Sequence, residues 1–342
     1  MSLILGLESS CDETAAAVVQ DGNTVLGSEV ASQIARHAPH GGVVPELAAR
    51  EHLKALLPVT ESALNKAGVT MKDIDAIAVT QGPGLIPALL VGLNYAKGLA
   101  QANGLPLIGV NHFLAHIYGA FLDGGAEMLK KPETYPILAL VVSGGHTSLL
   151  LVESDGSARQ LGCTIDDAAG EALDKAARTM GIPYPGGLNM DKLAKDGDNT
   201  AYKFPTPKVE GCPYDFSFSG LKTSVINTIH NAEQKGVEIN KSDLGASFMK
   251  AVSGCLIKNT EKAMEDTGYT TLVLAGGVSA NSVLRADVIE LCKKHNWTLY
   301  LPELALCGDN AVMVGSQGYY EYLSGNVAGL ELNAFAGKSI EE

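Results

Sequence analysis

Two histidines four residues apart are the clearest chemical feature of this sequence. His112 and His116 lie in the stretch VNHFLAH. In a helix, this spacing puts both imidazoles on one face about one turn apart, where both reach a single metal ion. Phe113 follows the first histidine where zinc proteases carry a Glu, so the motif has no built-in general base and peptide hydrolysis is disfavoured. Taken alone, such a pair is also compatible with a purely structural role.

A metal site needs a third ligand, because two histidines are too few for a tight catalytic centre. Asp309 is the candidate, since it lies between a Gly and an apolar, helix-like segment from Ala311 to Tyr322. An Asp at such a junction commonly caps the helix. A carboxylate has two oxygens, however, so capping and metal binding are compatible.

The elements that carry these residues occur in two copies. Leu3 to Val19 reads as a strand, a polar turn and a return strand, and the pattern recurs from Ile137 to Val152. A strand, a Gly turn and a helix also occur twice, around Gly82 to Gly84 and around Gly276 and Gly277. This repetition favours a pseudo-duplicated α/β protein with a nucleotide between its lobes. Ordinary Gly connections are the alternative.

Polar groups of the second copy are candidates for contacts to a ligand. The hairpin tip offers backbone N–H groups and one hydroxyl with little side-chain bulk, although an ordinary turn would look the same. Asp174, on a helix predicted from about Asp166 to Met180, and Asp191 could accept hydrogen bonds from ribose hydroxyls or be surface charges. Asn281 could cap a helix or contact a base edge. The tip residues are Val141, Val142, Ser143, Gly144 and Gly145.

Acidic side chains crowd the tip of the first hairpin. Glu8, Asp12 and Glu13 lie within six residues of one another. One of these carboxylates could accept a proton from a nucleophile, and burial or repulsion between the like charges would tune the pKa of that carboxylate. A hydrated loop is the alternative.

Composition limits the class of protein. With 342 residues and 46% hydrophobic content, the chain can form two ordinary domains. The net charge of -13 opposes binding of a phosphate backbone by this chain alone. The six cysteines are scattered, which favours reduced thiols in a cytoplasmic protein. We expect no membrane span, because Gly, Asn and Lys interrupt the most apolar run.

Together these motifs resemble the TsaD family, the bacterial tRNA threonylcarbamoyl adenosine transferases also called the glycoprotease family. The resemblance runs in order from residue 3 to about residue 337. The motifs are residues 8–14 (ESSCDET), 41–46 (GGVVPE), 81–84 (QGPG), 142–147 (VSGGHT), 276–281 (GGVSAN) and 308–310 (GDN), with the pair His112 and His116.

The resemblance implies an actin-like, Hsp70-like and sugar-kinase-like fold of two related lobes. We expect an N-terminal lobe of residues 1–135, with a C-terminal helix of about 311–337 packing back on it, and a C-terminal lobe of residues 136–310. The implied reaction moves threonylcarbamoyl from threonylcarbamoyl-AMP to N6 of adenosine 37, beside the anticodon, in tRNAs that read codons beginning with A. AMP is released.

The resemblance also implies the site residues and partners. His112, His116 and Asp309 would bind one divalent metal per subunit, with iron the usual assignment and zinc the other. The residues that would contact the adenylate are Val141, Val142, Ser143, Gly144, Gly145, Asp174, Gly187, Asp191 and Asn281. We expect Asp12 or its neighbour Glu13 to accept the proton from N6. The implied partners are a paralogous subunit, TsaB, and a small ATPase, TsaE.

Two other functions are weighed against this one. A secreted metalloprotease acting on glycoproteins needs a base beside the histidines and export, and the sequence shows neither. A non-catalytic nucleotide-binding scaffold is expected to lack the metal ligands, whereas all three are present.

Overall fold

Each of two units in the chain is built on a five-stranded mixed sheet. The structure is a computed structural model and describes residues 1–122 and 126–337. Among the described residues, the first unit contains Met1–Lys131 and residues 302–337, and the second contains Pro132–Leu301. None of the helices in the described residues is long and apolar enough to cross a membrane.

The sheet of the first unit has the strand order β3-β2-β1-β4-β5. Its first three strands form an antiparallel meander, and β4 and β5 continue parallel to β1. The strands are β1 (Leu3–Glu8), β2 (Glu13–Gln20), β3 (Thr24–Ser32), β4 (Ala76–Gly82) and β5 (Leu107–Asn111). The helices that precede residue 132 are α1 (Ile34–His37), α2 (Pro45–Ala67), α3 (Ile86–Asn103) and α4 (His112–Gly119).

The second unit repeats this sheet, with the order β10-β9-β6-β7-β8. Again a meander of three strands is extended by two parallel strands. The strands are β6 (Ile137–Val142), β7 (Thr147–Val152), β8 (Ala158–Cys163), β9 (Thr271–Ala275) and β10 (Thr298–Tyr300). The helices are α5 (Ala169–Thr179), α6 (Gly186–Ala194), α7 (Ser219–Lys235), α8 (Lys241–Thr267) and α9 (Ser282–His295). The predicted duplicated α/β fold is confirmed.

The last helix, α10 (Ala311–Leu323), belongs to the first unit. It agrees with the helix-like segment from Ala311 to Tyr322 and is shorter than the helix of about 311–337 that the resemblance implies. It ends because Gly325 takes a left-handed φ of 79°, which glycine adopts without steric cost. The Asn326 N–H then closes the last turn on the Glu321 carbonyl at 2.9 Å. The expected helix over 311–337 is therefore wrong beyond Leu323, and residues 324–337 contain no further helix.

Helix α10 packs directly on the sheet of the first unit, because glycines remove the side chains between them. A Cβ on Gly6 of β1 would lie 2.3 Å from the Ala311 carbonyl oxygen. A Cβ on Gly318 would lie 2.3 Å from the Cβ of Ala78 in β4. Neither atom can be accommodated without moving the helix. This contact sets the position of the residues that immediately precede α10.

We expect Gly6→Ala to destabilise the protein by about 2–4 kcal/mol, because the new methyl group overpacks backbone against backbone. Thermal unfolding measures the effect. Gly98→Ala is the matched control, since Gly98 lies exposed in α3, where an added Cβ would meet no atom within 4 Å. The control is expected to be neutral or stabilising by up to about 1 kcal/mol. Equal melting temperatures for Gly6→Ala and the parent chain would contradict this account of the helix contact.

Candidate metal centre and ligand-binding residues

The histidine pair lies at the start of α4, as the sequence predicts. Asn111 caps this helix, and its Oδ1 accepts the N–H groups of Phe113 at 2.9 Å and Leu114 at 3.3 Å. The cap fixes His112 as the first helical residue, so His116 lies one turn later on the same face. Both histidines are buried, and their ring centroids are 4.7 Å apart.

Asp309 reaches the same point from the other end of the chain. Its Oδ1 lies 3.1 Å from His116 Nε2 and 3.4 Å from His112 Nε2. Asn310, rather than Asp309, caps α10: its Oδ1 accepts the Met313 N–H at 3.0 Å. Asp309 is thus left with its carboxylate directed at the two imidazoles.

The geometry of these three residues fits a divalent metal ion. Their ligand atoms all lie within 4.8 Å of one another. A transition metal with ligands at about 2.0–2.2 Å places neighbouring ligand atoms about 3.0–3.5 Å apart in octahedral or tetrahedral coordination. The two Nε2–Oδ1 distances, 3.1 and 3.4 Å, fall within that interval. His112, His116 and Asp309 therefore form a possible metal site.

A second group of possible ligands lies in the other unit and is less suited to a metal. Glu261, Glu265 and His295 bring three ligand atoms within 4.8 Å, but Glu265 is exposed and the other two are half-buried. The Glu261 carboxylate already pairs with Lys294 at 2.8 Å and His295 at 2.7 Å. A cation here would compete with two existing positive partners and with water.

Burial and charge act against each other in the histidine group. Burial favours neutral His112, but the carboxylates of Asp309 and Glu8 outweigh it and raise the pKa of His112 to about 10. Burial also opposes ionisation of Asp309, yet the two histidines hold the pKa of that carboxyl well below its usual range. For His116, burial prevails and lowers the pKa. Without a metal, the group therefore holds one proton on His112, and a metal would displace it.

The acids at the tip of the first hairpin differ in protonation. Burial, followed by the charges of Asp12 and Asp309, raises the pKa of Glu13 to about 9. Glu13 also shares a hydrogen bond with Asp12 and accepts one from the Ser32 hydroxyl at 2.9 Å. At neutral pH Glu13 thus keeps its proton and cannot serve as a base.

The expected adenylate contacts all belong to the second unit, where the structure joins several of them in pairs. The Ser143 carbonyl, at the β6–β7 turn, accepts the Gly170 N–H at the start of α5 at 3.2 Å. Asp174 of α5 accepts the Gly187 N–H of α6 at 2.8 Å. The predicted helix over 166–180 is confirmed, although it begins at Ala169.

The remaining predicted contacts continue this chain of hydrogen bonds. Asp191 of α6 accepts the Ser282 hydroxyl at 2.5 Å and the Ser282 N–H at 3.0 Å. The neighbouring Asn281 caps α9 by accepting the Leu284 N–H at 3.0 Å. A Cβ on Gly276 would lie 2.4 Å from the Val142 carbonyl oxygen, so the turn before α9 lies against the end of β6. The tip of Val141, Val142, Ser143, Gly144 and Gly145 is therefore linked to Asp174, Gly187, Asp191 and Asn281 within one unit. Their binding role stays a prediction.

Two contributors to the histidine group are not predicted from the sequence. Glu8 is completely buried and faces His112, and Thr80 donates a hydrogen bond to it. Glu8 carries a signal in the sequence, since it is an acid at the end of an apolar strand. Thr80 carries none, because Thr is an ordinary residue of a buried strand.

Two units whose five-stranded sheets have the same strand order place the chain in the α/β actin-like and sugar-kinase-like fold class. Solved structures of that class are similar in fold. HypF matches with a TM-score of 0.60 at 14% identity, over 94% of this chain and 46% of that one. Component A of the Acidaminococcus fermentans (R)-2-hydroxyglutaryl-CoA dehydratase matches with a TM-score of 0.55 at 14% identity, over 94% and 100%.

Sequence comparison then identifies the family. The model of the TsaD family, tRNA N6-adenosine threonylcarbamoyltransferase, matches residues 24–316. A Listeria monocytogenes protein of that name is 49% identical over 100% of this chain and 97% of its own length. One from Bacillus cereus is 50% identical over 99% and 97%. The chain belongs to the TsaD family.

We expect the purified protein to bind one divalent metal ion per chain and Asp309→Ala to lose it, because two nitrogen ligands alone hold a metal weakly. Elemental analysis after dialysis against a weak chelator measures the metal content. His295→Ala is the control, since it disrupts the alternative group around Glu261. Loss of metal from the control and retention by Asp309→Ala would reverse the assignment.

Glu13 gives a pH-dependent prediction. Its pKa in the folded chain is about 9 against an ordinary 4.5, so between these values the folded state binds more protons and stability falls as pH rises. Glu13→Gln removes this loss and is expected to stabilise the chelator-treated protein at pH 7.5 by about 1–4 kcal/mol. Thermal unfolding from pH 5 to 9 measures it, with Glu46→Gln at an exposed acid as the control. Parallel pH profiles for Glu13→Gln and the parent chain would contradict the raised pKa.

Proposed function

We propose that this chain transfers a threonylcarbamoyl group to N6 of adenosine 37 in tRNAs that read codons beginning with A. The observation that carries the proposal is the full-length similarity, at 49% identity, to curated tRNA N6-adenosine threonylcarbamoyltransferases. We take threonylcarbamoyl-AMP as the donor and AMP as the released product. Because tRNA is the acceptor, the proposed reaction takes place in the cytoplasm.

The chemistry of this donor requires mainly orientation. Its carbamoyl carbon is already activated as a mixed anhydride with phosphate, so attack by N6 expels AMP without a covalent intermediate on the protein. The glycine-containing tip of residues 141–145 is suited to the adenylate, because its backbone approaches a ligand without side-chain bulk. We assign Asp174 and Asp191 to contacts with the ribose hydroxyls, since each carboxylate oxygen can accept two hydrogen bonds.

We assign the metal site to one Fe²⁺ per chain, held by His112, His116 and Asp309. Two histidines and one carboxylate with open positions are the ligand set typical of non-haem Fe²⁺, and Zn²⁺ is the alternative for the same donors. A bound metal would supply Lewis acidity or a template for the threonylcarbamoyl group.

We assign the removal of the N6 proton to Asp12. The raised pKa of Glu13, about 9, favours Asp12 over that neighbour as the base at neutral pH. Asp12 is buried at the tip of the first hairpin, in the same unit as the histidine group. The protonated Glu13 beside it adds no second negative charge.

We further propose that the chain acts with a paralogous TsaB subunit and a TsaE ATPase. The net charge of -13 supports a need for help with the tRNA phosphates. The exposed leucines Leu53 and Leu57 on α2 support a protein contact, because clustered exposed apolar side chains commonly mark one.

Transfer of labelled threonylcarbamoyl from its adenylate to tRNA, with both partners supplied, tests the proposal. We expect Asp309→Ala to lower the rate about 100-fold or more, because the metal is lost, and Asp12→Asn to lower it about 100- to 10,000-fold, because the base is lost. His230→Ala, at an exposed helix position, is the control and retains the full rate. Normal transfer by both site variants would contradict the proposed mechanism. No transfer by the parent chain would contradict the proposed function.

A further inference from the structure

Glu8 is a buried carboxylate whose surroundings point to a defined task. It ends β1 and is 0% exposed. Its Oε1 accepts the Ser10 N–H at 2.5 Å, and its Oε2 accepts the Thr80 hydroxyl at 2.6 Å. A buried carboxylate is costly unless it is paired with a cation or with hydrogen-bond donors. The ion-pair partner that the described residues give to Glu8 is the imidazole of His112.

The contact between Glu8 and His112 is on the side of the ring that faces away from Asp309. Glu8 Oε2 lies 3.3 Å from His112 Nδ1, whereas Asp309 Oδ1 lies 3.4 Å from His112 Nε2. The Ser10 hydroxyl also lies 3.3 Å from Nδ1. One ring nitrogen therefore faces a hydrogen-bond acceptor and the other faces the metal ligand Asp309.

We infer that Glu8 is a positioning residue for the metal: it accepts the Nδ1–H of His112 and thereby directs the Nε2 lone pair toward the ion. A metal-binding histidine commonly donates its other ring N–H to a carboxylate, which fixes the tautomer and the ring orientation. Thr80 and the Ser10 N–H hold Glu8 in place. The inference rests on the proposed metal site and adds to it.

Charge balance supports the same role. Two neutral histidines and Asp309 bring one negative charge to a divalent ion, and Glu8 brings the second. All four side chains are buried or nearly so, with Asp309 the most exposed at 19%. Little solvent reaches these buried side chains, so an anion from solvent is a poor source of the second negative charge.

Metal affinity tests this role without measuring activity. Competition with a chromogenic chelator for Zn²⁺ is expected to show affinity about 10- to 100-fold lower in Glu8→Gln than in the parent chain. Thr80→Val, which removes only the support of Glu8, should lower it about fivefold. Glu29→Gln is the control, since that half-exposed carboxylate of β3 pairs with Lys66. Its affinity should equal that of the parent.

The tautomer of His112 provides a second readout that a purely structural role would not change. In the Zn²⁺-loaded protein we expect a downfield Nδ1–H resonance of His112, which is lost or shifted in Glu8→Gln. Parent-like affinity and spectra in both Glu8→Gln and Thr80→Val would overturn the inference. If Glu8→Gln does not fold, Thr80→Val alone decides it.

One further variant separates this inference from the proposed metal site. If His112→Ala loses Zn²⁺ while Glu8→Gln and Thr80→Val bind it normally, the metal site stands and the role of Glu8 fails. If His112→Ala also binds Zn²⁺ with parent-like affinity, the metal site itself is wrong.

Discussion

The contact between α10 and the sheet of the first unit is the constraint on which the site depends. The two segments that form the histidine group are 193 residues apart in sequence. They meet because Gly6 lets the Ala311 backbone lie on β1 and Gly318 lets the helix lie on β4. Asp309 immediately precedes this helix, so its position is set by a backbone contact rather than by a flexible side chain.

Burial of charge is the second constraint. In this unit Glu8 and both histidines are buried, and Asp309 is only partly exposed. The carboxylates then need a cation, which is a proton on His112 when no metal is present. Binding of a divalent ion exchanges that proton for a stronger positive charge. The site is therefore built for a cation whether or not metal is bound.

The sequence predicts those parts of the fold and site that depend on local pattern. Apolar runs, polar turns and Gly junctions locate both hairpins, and the four-residue spacing of His112 and His116 suffices for a helical pair. The apolar segment from Ala311 to Tyr322 locates the end of α10 to within one residue, whereas the longer helix of about 311–337 is ruled out by the left-handed Gly325. The role of Glu8 is not predicted from the sequence, because a carboxylate at a hairpin tip is usually hydrated. Its partners Thr80 and His112 are far away in the sequence, so no local pattern reveals its burial.

The duplicated sheets differ in charge at corresponding turns, and this difference supports the different roles proposed for the two turns. The β1–β2 turn carries Asp12 and is followed by Glu13, whereas the β6–β7 turn is made of Ser143, Gly144, Gly145 and His146. Like charges repel, so the acidic turn is unsuited to a phosphate and suited to a cation or a proton. The glycine turn offers backbone N–H groups and no negative charge, which suits an adenylate. Under the proposed function, the acidic turn of the first hairpin would serve proton removal and the uncharged glycine turn of the second would serve adenylate binding.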